Sequence, residues 1–280
     1  MSAELYSYYA PTGGLPDQNQ RARERATFTT SYAVIPRGVL SDIVTSFLPG
    51  WTRARSWILA RPLTGFAETF AQYIVEIMPG GGSDVPEPEE GAEAVLFVLA
   101  GHIRVVIDGV ANQMDQGGYA FIGPDSRWTV ANDSDTPATF IWVRKKYEPA
   151  PGIDAPKSFV TSDQETEMEA MPNTVGYWST TRFADPNDLS HDMHVNIVTF
   201  LPGGTIPFAE THVMEHGLYV LQGRGVYLLN QDWVEVAEGD FLWLRAFCPQ
   251  ACYAAGRRPF RYLLYKDVNR HPGLNLRTGG

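Results

Sequence analysis

Short apolar runs separated by turn-forming residues dominate the chain. The runs are rich in β-branched and aromatic side chains, as in residues 72–78, 94–99, 195–201 and 261–266. Clusters of Gly, Pro, Asn and Asp lie between them, which is typical of strands joined by turns. No long stretch repeats its apolar residues with the period of an amphipathic helix. The pattern predicts an all-β fold.

The second half of the chain repeats the first. Residues 77–82 resemble residues 200–205 in sequence, and both segments lead from an apolar run into a glycine turn. Matching repeats of this kind indicate two copies of one β-domain. We expect the copies to comprise residues 1–150 and 151–280, with the proline-rich segment 148–157 as the linker. Three pairs of glycines keep almost the same spacing, with 122 residues from Gly82 to Gly204 and from Gly101 to Gly223, and 121 from Gly118 to Gly239.

A set of metal-capable side chains lies in the second copy. Glu210, His212 and His216 all have even numbers, so on an extended strand they would point to one face. Gln250 follows 34 residues after His216, on a second predicted strand that begins after a glycine turn. Two imidazoles, a carboxylate and a carboxamide converging inside a small barrel would form a site for one divalent cation. The residue types favour Mn²⁺ and would also accept Fe²⁺ or Co²⁺.

The first copy lacks these side chains. At the corresponding positions it has Pro88, Glu90, Ala94 and, approximately, Thr129. That set cannot hold a transition metal. We therefore expect the N-terminal domain to shape or stabilise the molecule, and the C-terminal domain to carry the chemistry.

The last predicted strand of the second copy places a lysine in the barrel. Tyr262, Leu264 and Lys266 alternate, so they share one face of an extended strand. A lysine that points into a barrel is costly unless it meets an anion, so Lys266 is a candidate functional residue. If the register were shifted by one residue, Lys266 would face solvent instead. The residues themselves therefore point to a metal and a small anion.

Several other reactive side chains are expected to have ordinary structural roles. His191 and His194 are three residues apart, which places them on opposite faces of an extended segment, and we expect structural or surface positions. Glu215 should point away from His216, toward solvent or a subunit contact. Cys248 and Cys252 would lie roughly 13 Å apart on a strand, too far for a disulfide, so both should be reduced.

Composition and charge restrict the partners. The formal net charge is −10 and no basic run offsets it, which argues against nucleic acid and anionic membranes. The sequence has neither a signal-peptide pattern nor an apolar run long enough to span a bilayer, so we expect a cytoplasmic protein. Exposed sheet edges and the inert first domain favour a homo-oligomer.

The pattern Gly204-x5-Glu210-x-His212-x3-His216-x6-Gly223, followed by Gly239-Asp240 and Gln250, resembles the cupin double-stranded β-helix, or jelly-roll barrel. The usual cupin order is His-x-His-x3-Glu and then His, whereas here the first and third ligands are exchanged and the last is an amide. A two-domain cupin with this variant resembles the (S)-ureidoglycine aminohydrolase family, especially at residues 210–221 and at the late Tyr-x3-Lys of the second copy.

The resemblance implies two tandem cupin barrels and a manganese enzyme that deaminates (S)-ureidoglycine to (S)-ureidoglycolate and ammonia in purine catabolism. It implies that Glu210, His212, His216 and Gln250 bind Mn²⁺. It further implies that Glu210, Gln250, Tyr262 and Lys266 contact the substrate, with Glu210 and Lys266 as catalytic residues. Two alternatives stay open: another metal-dependent cupin enzyme, such as an Fe²⁺ dioxygenase or an isomerase, and a non-catalytic bicupin that binds a small molecule.

Overall fold

The computed structural model describes residues 5–11, 26–40, 46–62, 65–267 and 270. In this part of the chain the regular structure is almost entirely β-strand, and a short 3-10 helix lies at Arg37–Val39. No helix there has the length and apolar character that crossing a membrane requires. The prediction of an all-β fold is confirmed.

The strands are numbered in chain order. The first eleven are β1 (Thr27–Phe28), β2 (Tyr32–Ile35), β3 (Thr52–Ala60), β4 (Ala71–Ser83), β5 (Ala92–Ala100), β6 (Ile103–Ile107), β7 (Val110–Met114), β8 (Gly118–Ile122), β9 (Trp128–Ala131), β10 (Ala138–Lys146) and β11 (Phe159–Ser162). The remaining ten are β12 (Met168–Ala170), β13 (Trp178–Thr181), β14 (Met193–Phe200), β15 (Thr205–Glu210), β16 (His216–Gln222), β17 (Arg224–Leu229), β18 (Asp232–Ala237), β19 (Phe241–Leu244), β20 (Gln250–Ala254) and β21 (Phe260–Asp267).

The strands form two antiparallel barrels. The N-terminal barrel is one sheet in the order β11-β8-β5-β10-β4-β9-β6-β7, with β3 paired to β4. The C-terminal barrel consists of two sheets. An eight-stranded sheet has the order β1-β2-β19-β16-β21-β14-β13-β12, and a four-stranded sheet has the order β15-β20-β17-β18. The prediction of tandem cupin barrels is confirmed.

The barrels exchange strands across the predicted domain boundary. Near the start of the chain, β2 pairs with β19 of the C-terminal barrel, with Tyr32 opposite Leu244. After the linker, β11 pairs with β8 of the N-terminal barrel, with Phe159 opposite Phe121. The domain boundary at residue 150 stays a prediction. Strands from each side of this boundary pair with strands of the barrel on the other side.

Alternating side chains along the central strands fill three separate apolar cores. On β21, Tyr262 packs inside the C-terminal barrel, whereas Leu263 and Tyr265 point to the opposite face. On β4, Val75 packs inside the N-terminal barrel, whereas Ile74 points out of it. The outward-facing residues of both barrels meet in one shared core between them. Each central strand therefore supports its own barrel and the contact with the other one.

A buried polar cluster lies beside the shared core. Lys145 on β10 bonds to Asp192 with an Nζ to Oδ2 distance of 2.5 Å, and both side chains are buried. Glu93 on β5 lies within hydrogen-bonding reach of Asp192. Burial, together with the negative charge of Asp192, raises the pKa of the Glu93 carboxyl well above its usual range. The raised pKa favours the protonated form of Glu93, in which its carboxyl can donate a hydrogen bond to Asp192.

This protonation state predicts a pH-dependent difference between the wild type and Glu93→Gln. The pKa of Glu93 is raised in the folded state, so its stabilising contribution is complete below about pH 4.5 and is lost as the pH rises. Glutamine stays neutral at every pH. We therefore compare the unfolding free energies of Glu93→Gln and the wild type. Above pH 4.5 the value for Glu93→Gln minus that for the wild type should increase by about 1 kcal/mol per pH unit, until the folded-state pKa of Glu93 is reached. Urea titrations at several pH values, with the exposed Glu235→Gln as control, measure this difference. Parallel curves for the wild type and Glu93→Gln would refute the assignment.

Candidate active site in the C-terminal barrel

One cavity inside the C-terminal barrel is lined by all six residues that the sequence predicted to bind metal or substrate. Its volume is about 180 Å³, and its walls come from both sheets of that barrel. The lining includes Glu210, His212, His216, Gln250, Tyr262 and Lys266.

The chain brings the four metal-capable residues together by a different route from the one expected. Glu210 ends β15, His212 lies in the connecting segment 211–215, and His216 begins β16. The expectation that the three share one extended strand is therefore wrong, because the chain passes from the four-stranded to the eight-stranded sheet between them. Gln250 begins β20 and is directly opposite Glu210 in the register.

Glu210 and His212 already have the separation of two neighbouring metal ligands. Their Oε1 and Nε2 atoms are 3.2 Å apart. Two ligand atoms held about 2.1 Å from one ion at a right angle lie about 3 Å from each other. The ring centroids of His212 and His216 are 5.2 Å apart. Among the described residues, no three His, Cys, Asp or Glu side chains converge closely enough to hold a metal by themselves. The pair contact and the donor types nevertheless fit a bound divalent ion.

The protonation state of His216 also suits a ligand. The side chain is buried, and burial lowers its pKa to about 3, with further contributions from His212 and Lys266. His216 is therefore neutral at physiological pH, which is the form of imidazole that binds metals.

The cavity also carries two cations, and one of them, Lys266, is the register partner of His216 on the neighbouring strand. Tyr262, Leu264 and Lys266 all line the cavity, so the alternation predicted for β21 is confirmed. Burial lowers the pKa of Lys266, and the nearby Arg182 lowers it further. Arg182 was not singled out from the sequence. It lines the same cavity just after β13 and forms an ion pair with Glu169.

A pair of tyrosines forms another part of the wall. The hydroxyl oxygens of Tyr227 and Tyr262 are 3.0 Å apart, and both side chains are buried. Burial raises the pKa of both phenols well above the usual value, so both keep their protons. Tyr227 was missed because nothing near it in the sequence indicates that β17 and β21 face each other.

Glu215 differs from its expected role. It is buried rather than solvated, and its carboxylate accepts hydrogen bonds from the backbone N–H groups of Glu68 (2.7 Å) and Thr69 (2.9 Å) and from Trp243 Nε1 (2.6 Å). The residue next to His216 is thereby attached to a segment from the first half of the chain. This contact holds the start of β16, and with it the His216 side chain.

The histidines and cysteines expected to be structural are buried. His194 faces Lys266 across the β14–β21 pair, and burial lowers its pKa to about 4. His191 packs edge-on against Phe121. Cys248 and Cys252 are free, as expected, and burial raises the pKa of both thiols.

The equivalent space in the N-terminal barrel is filled by protein. Arg144 on β10 occupies the position that corresponds to Lys266, and its Nε donates to Glu87 Oε2 at 2.6 Å. The guanidinium lies over the Trp142 ring, which packs against Trp128. An ion pair and aromatic rings therefore lie where the second copy has its donor set.

Comparisons with known proteins agree with this architecture. The model of the family described as "Cupin domain" matches residues 73–144 and 196–265. The chain is 32% identical to (S)-ureidoglycine aminohydrolase of Escherichia coli strain K12, over 84% of this chain and 87% of the relative. It is 30% identical to (S)-ureidoglycine aminohydrolase of Arabidopsis thaliana, over 82% and 74% of the two chains. A crystal structure of a Pseudomonas aeruginosa protein described as glyoxylate-induced superposes with a TM-score of 0.89 at 60% identity, covering 96% of this chain and 99% of that one.

Each half of the chain is thus a cupin domain, so the molecule is a bicupin. The metal-capable side chains line a cavity in its C-terminal domain. The chain belongs to the (S)-ureidoglycine aminohydrolase family, whose members are enzymes.

The contacts of Glu215 predict that it stabilises the fold and the site together. Glu215→Ala leaves the Trp243 indole N–H and two backbone N–H groups without their acceptor. We expect a loss of about 3 kcal/mol in unfolding free energy, because each buried unsatisfied donor costs about 1 kcal/mol or more. Chemical denaturation measures the loss, and the exposed Glu167→Ala serves as control. Equal stability of Glu215→Ala and the control would contradict this role.

Proposed function

We propose that this protein catalyses the hydrolytic deamination of (S)-ureidoglycine to (S)-ureidoglycolate and ammonia. One observation carries the proposal: two imidazoles, a carboxylate, a carboxamide and a lysine line one cavity of about 180 Å³. Such a cavity suits a small anionic substrate. The relatives from Escherichia coli and Arabidopsis thaliana named for this reaction supply the substrate.

The cofactor that we propose is Mn²⁺, held by Glu210, His212, His216 and Gln250. The cupin fold is generally metal-binding, and a mixed set of nitrogen and oxygen donors suits a borderline-hard ion. When bound, the ion supplies Lewis-acid polarisation of the substrate and lowers the pKa of a coordinated water.

The two cations in the cavity wall bind the substrate carboxylate. Lys266 and Arg182 both line the cavity, and burial together with the charge of Arg182 lowers the pKa of Lys266. An incoming carboxylate relieves this repulsion, so it is favoured over a neutral ligand. Holding the carboxylate at these cations fixes the carbon that carries the amine inside the cavity that the donor set lines.

Lys266 also donates a proton to the departing amine and can accept one from the attacking water. Loss of the amine breaks a carbon–nitrogen bond, and the departing nitrogen needs a proton to leave as ammonia. The lowered pKa of Lys266 makes its ammonium a better acid than an exposed lysine. Water then adds to the same carbon and loses a proton, which the neutral Lys266 amine or the Glu210 carboxylate accepts.

The tyrosine pair orients the substrate without being ionised. Tyr262 and Tyr227 keep their protons, so each hydroxyl can donate or accept a hydrogen bond. The buried walls leave one side of the reacting carbon open to water. This asymmetry gives the (S) product, whereas spontaneous loss of ammonia has no preferred face.

The wider setting follows from the reaction. We place the enzyme in purine catabolism, at the step that releases ammonia from the ureidoglycine formed in allantoin degradation. We expect it to act in the cytoplasm as a homo-oligomer, without a nucleic-acid or membrane partner.

Removing a metal ligand should abolish both the metal and the activity. In Glu210→Ala we expect less than stoichiometric manganese and no ammonia release above the spontaneous rate, because a carboxylate donor is lost. Metal content by mass spectrometry and ammonia release from freshly prepared ureidoglycine measure the two effects. Chelation of the wild type should have the same result, and re-addition of Mn²⁺ should restore activity. Full turnover by metal-free protein would refute the cofactor.

Removing the lysine should separate binding of the metal from turnover. We expect Lys266→Met to keep stoichiometric manganese while kcat falls by about 10²- to 10⁴-fold, because a proton-transfer group is lost. The exposed Lys157→Met serves as the matched control. Chiral analysis of the product should show excess (S)-ureidoglycolate only with active protein. Wild-type kcat in Lys266→Met would exclude the role, and O₂ consumption coupled to turnover would favour a dioxygenase.

A further inference from the structure

Two buried polar atoms in the cavity wall lack a hydrogen-bond partner. They are the side-chain oxygen Oδ1 of Asn196, on β14, and the indole nitrogen Nε1 of Trp178, at the start of β13. Both residues line the cavity, and Asn196 is only 4% exposed. Neither residue was singled out from the sequence.

Such atoms are uncommon in folded proteins. More than about 90% of buried polar groups have a partner, because a buried donor or acceptor without one destabilises the fold. One acceptor and one donor left unpaired in the same cavity therefore call for an explanation. A ligand that supplies both partners provides it.

The positions of the two residues separate them from the metal donors. β13 and β14 are neighbours in the eight-stranded sheet, and Asn196 is opposite Leu264 on β21, between the levels of Tyr262 and Lys266. Trp178 stacks on Phe200, with a centroid distance of 5.7 Å, and this packing fixes the indole ring. The donor set comes instead from β15, the segment 211–215 that follows it, β16 and β20.

We propose that Asn196 and Trp178 bind the ureido group of the substrate. This inference rests on the proposed function. A ureido group has N–H donors beside a carbonyl oxygen, so it can donate to Asn196 Oδ1 while accepting from Trp178 Nε1. A carboxylate cannot donate to the asparagine oxygen, and an amine or ammonium group has no carbonyl oxygen for the indole N–H. The pair therefore selects a carboxylate that carries a ureido or similar amide arm.

The unpaired asparagine oxygen also predicts an unusual stability effect. In the absence of ligand, Asn196→Leu removes an unsatisfied buried acceptor and keeps a similar side-chain volume. We expect the ligand-free variant to have a higher Tm than the wild type. A purely structural asparagine, with bonds to the protein, would give a lower Tm.

The test compares two ligands on the manganese-loaded protein by calorimetric titration. Ureidoacetate has the carboxylate and the ureido group but no amine to lose. 4-Methylpentanoate has the same shape without the polar arm. We expect the wild type to bind ureidoacetate at least tenfold more tightly than 4-methylpentanoate.

The variants Asn196→Leu and Trp178→Phe should each lose about tenfold in affinity for ureidoacetate, with a matching rise in KM for ureidoglycine. Their affinity for 4-methylpentanoate should stay within about twofold of the wild type, because an apolar arm makes no hydrogen bond to either residue. Matched controls are Asn112→Ala, on the outer hairpin of the N-terminal barrel, and Trp233→Phe, which is exposed on the four-stranded sheet.

Four results would overturn the inference. An unchanged preference for ureidoacetate in both variants would exclude contact with the ureido arm, and a lower Tm for ligand-free Asn196→Leu would indicate a structural asparagine. A wild type that releases ammonia from ureidoglycine but binds both probes equally would reject this subsite alone. A wild type that neither releases ammonia nor prefers ureidoacetate would reject the proposed function as well.

Discussion

Packing between the two barrels is the constraint on which the site depends. Strand β21 directs Tyr262 and Lys266 into the cavity and Leu263 and Tyr265 toward the N-terminal barrel. The Tyr265 ring stacks on Phe70 from that barrel, with centroids 3.9 Å apart. Because alternate residues of one strand serve both purposes, a shift that exposed the shared core would also move this wall of the cavity. The N-terminal barrel thus holds that wall in register.

Local patterns in the sequence were sufficient for the fold class and for much of the site. Alternation and turn residues predicted the strands, the glycine spacing predicted the duplication, and parity predicted that Tyr262 and Lys266 share an inward face. Contacts between distant segments could not be predicted in this way. His212 lies in a connecting segment rather than on a strand, and Glu215 is buried by residues about 147 positions earlier. Arg182 was missed for the same reason, since only the pairing of β13 with β14 brings it to the cavity.

The two copies show alternative uses of one barrel interior. In the first, Arg144 pairs with Glu87 and tryptophan rings fill the remaining space. In the second, smaller and polar side chains leave a cavity whose walls include unsatisfied groups. Filling favours stability because close packing in the interior gains dispersion contacts that an open cavity lacks. The filled barrel therefore supplies rigidity to the one that has retained a site.

The strand exchange also affects the order of folding during synthesis. Strand β2 is made among the first residues of the chain, yet its partner β19 emerges from the ribosome roughly 200 residues later. Until then the early segment has no strand to dock on, and the eight-stranded sheet stays divided until β21, its central strand, is made last. The strands of the N-terminal barrel all lie within residues 52–162, so that barrel should form first and the C-terminal barrel should be completed slowly, through contacts between distant parts of the chain.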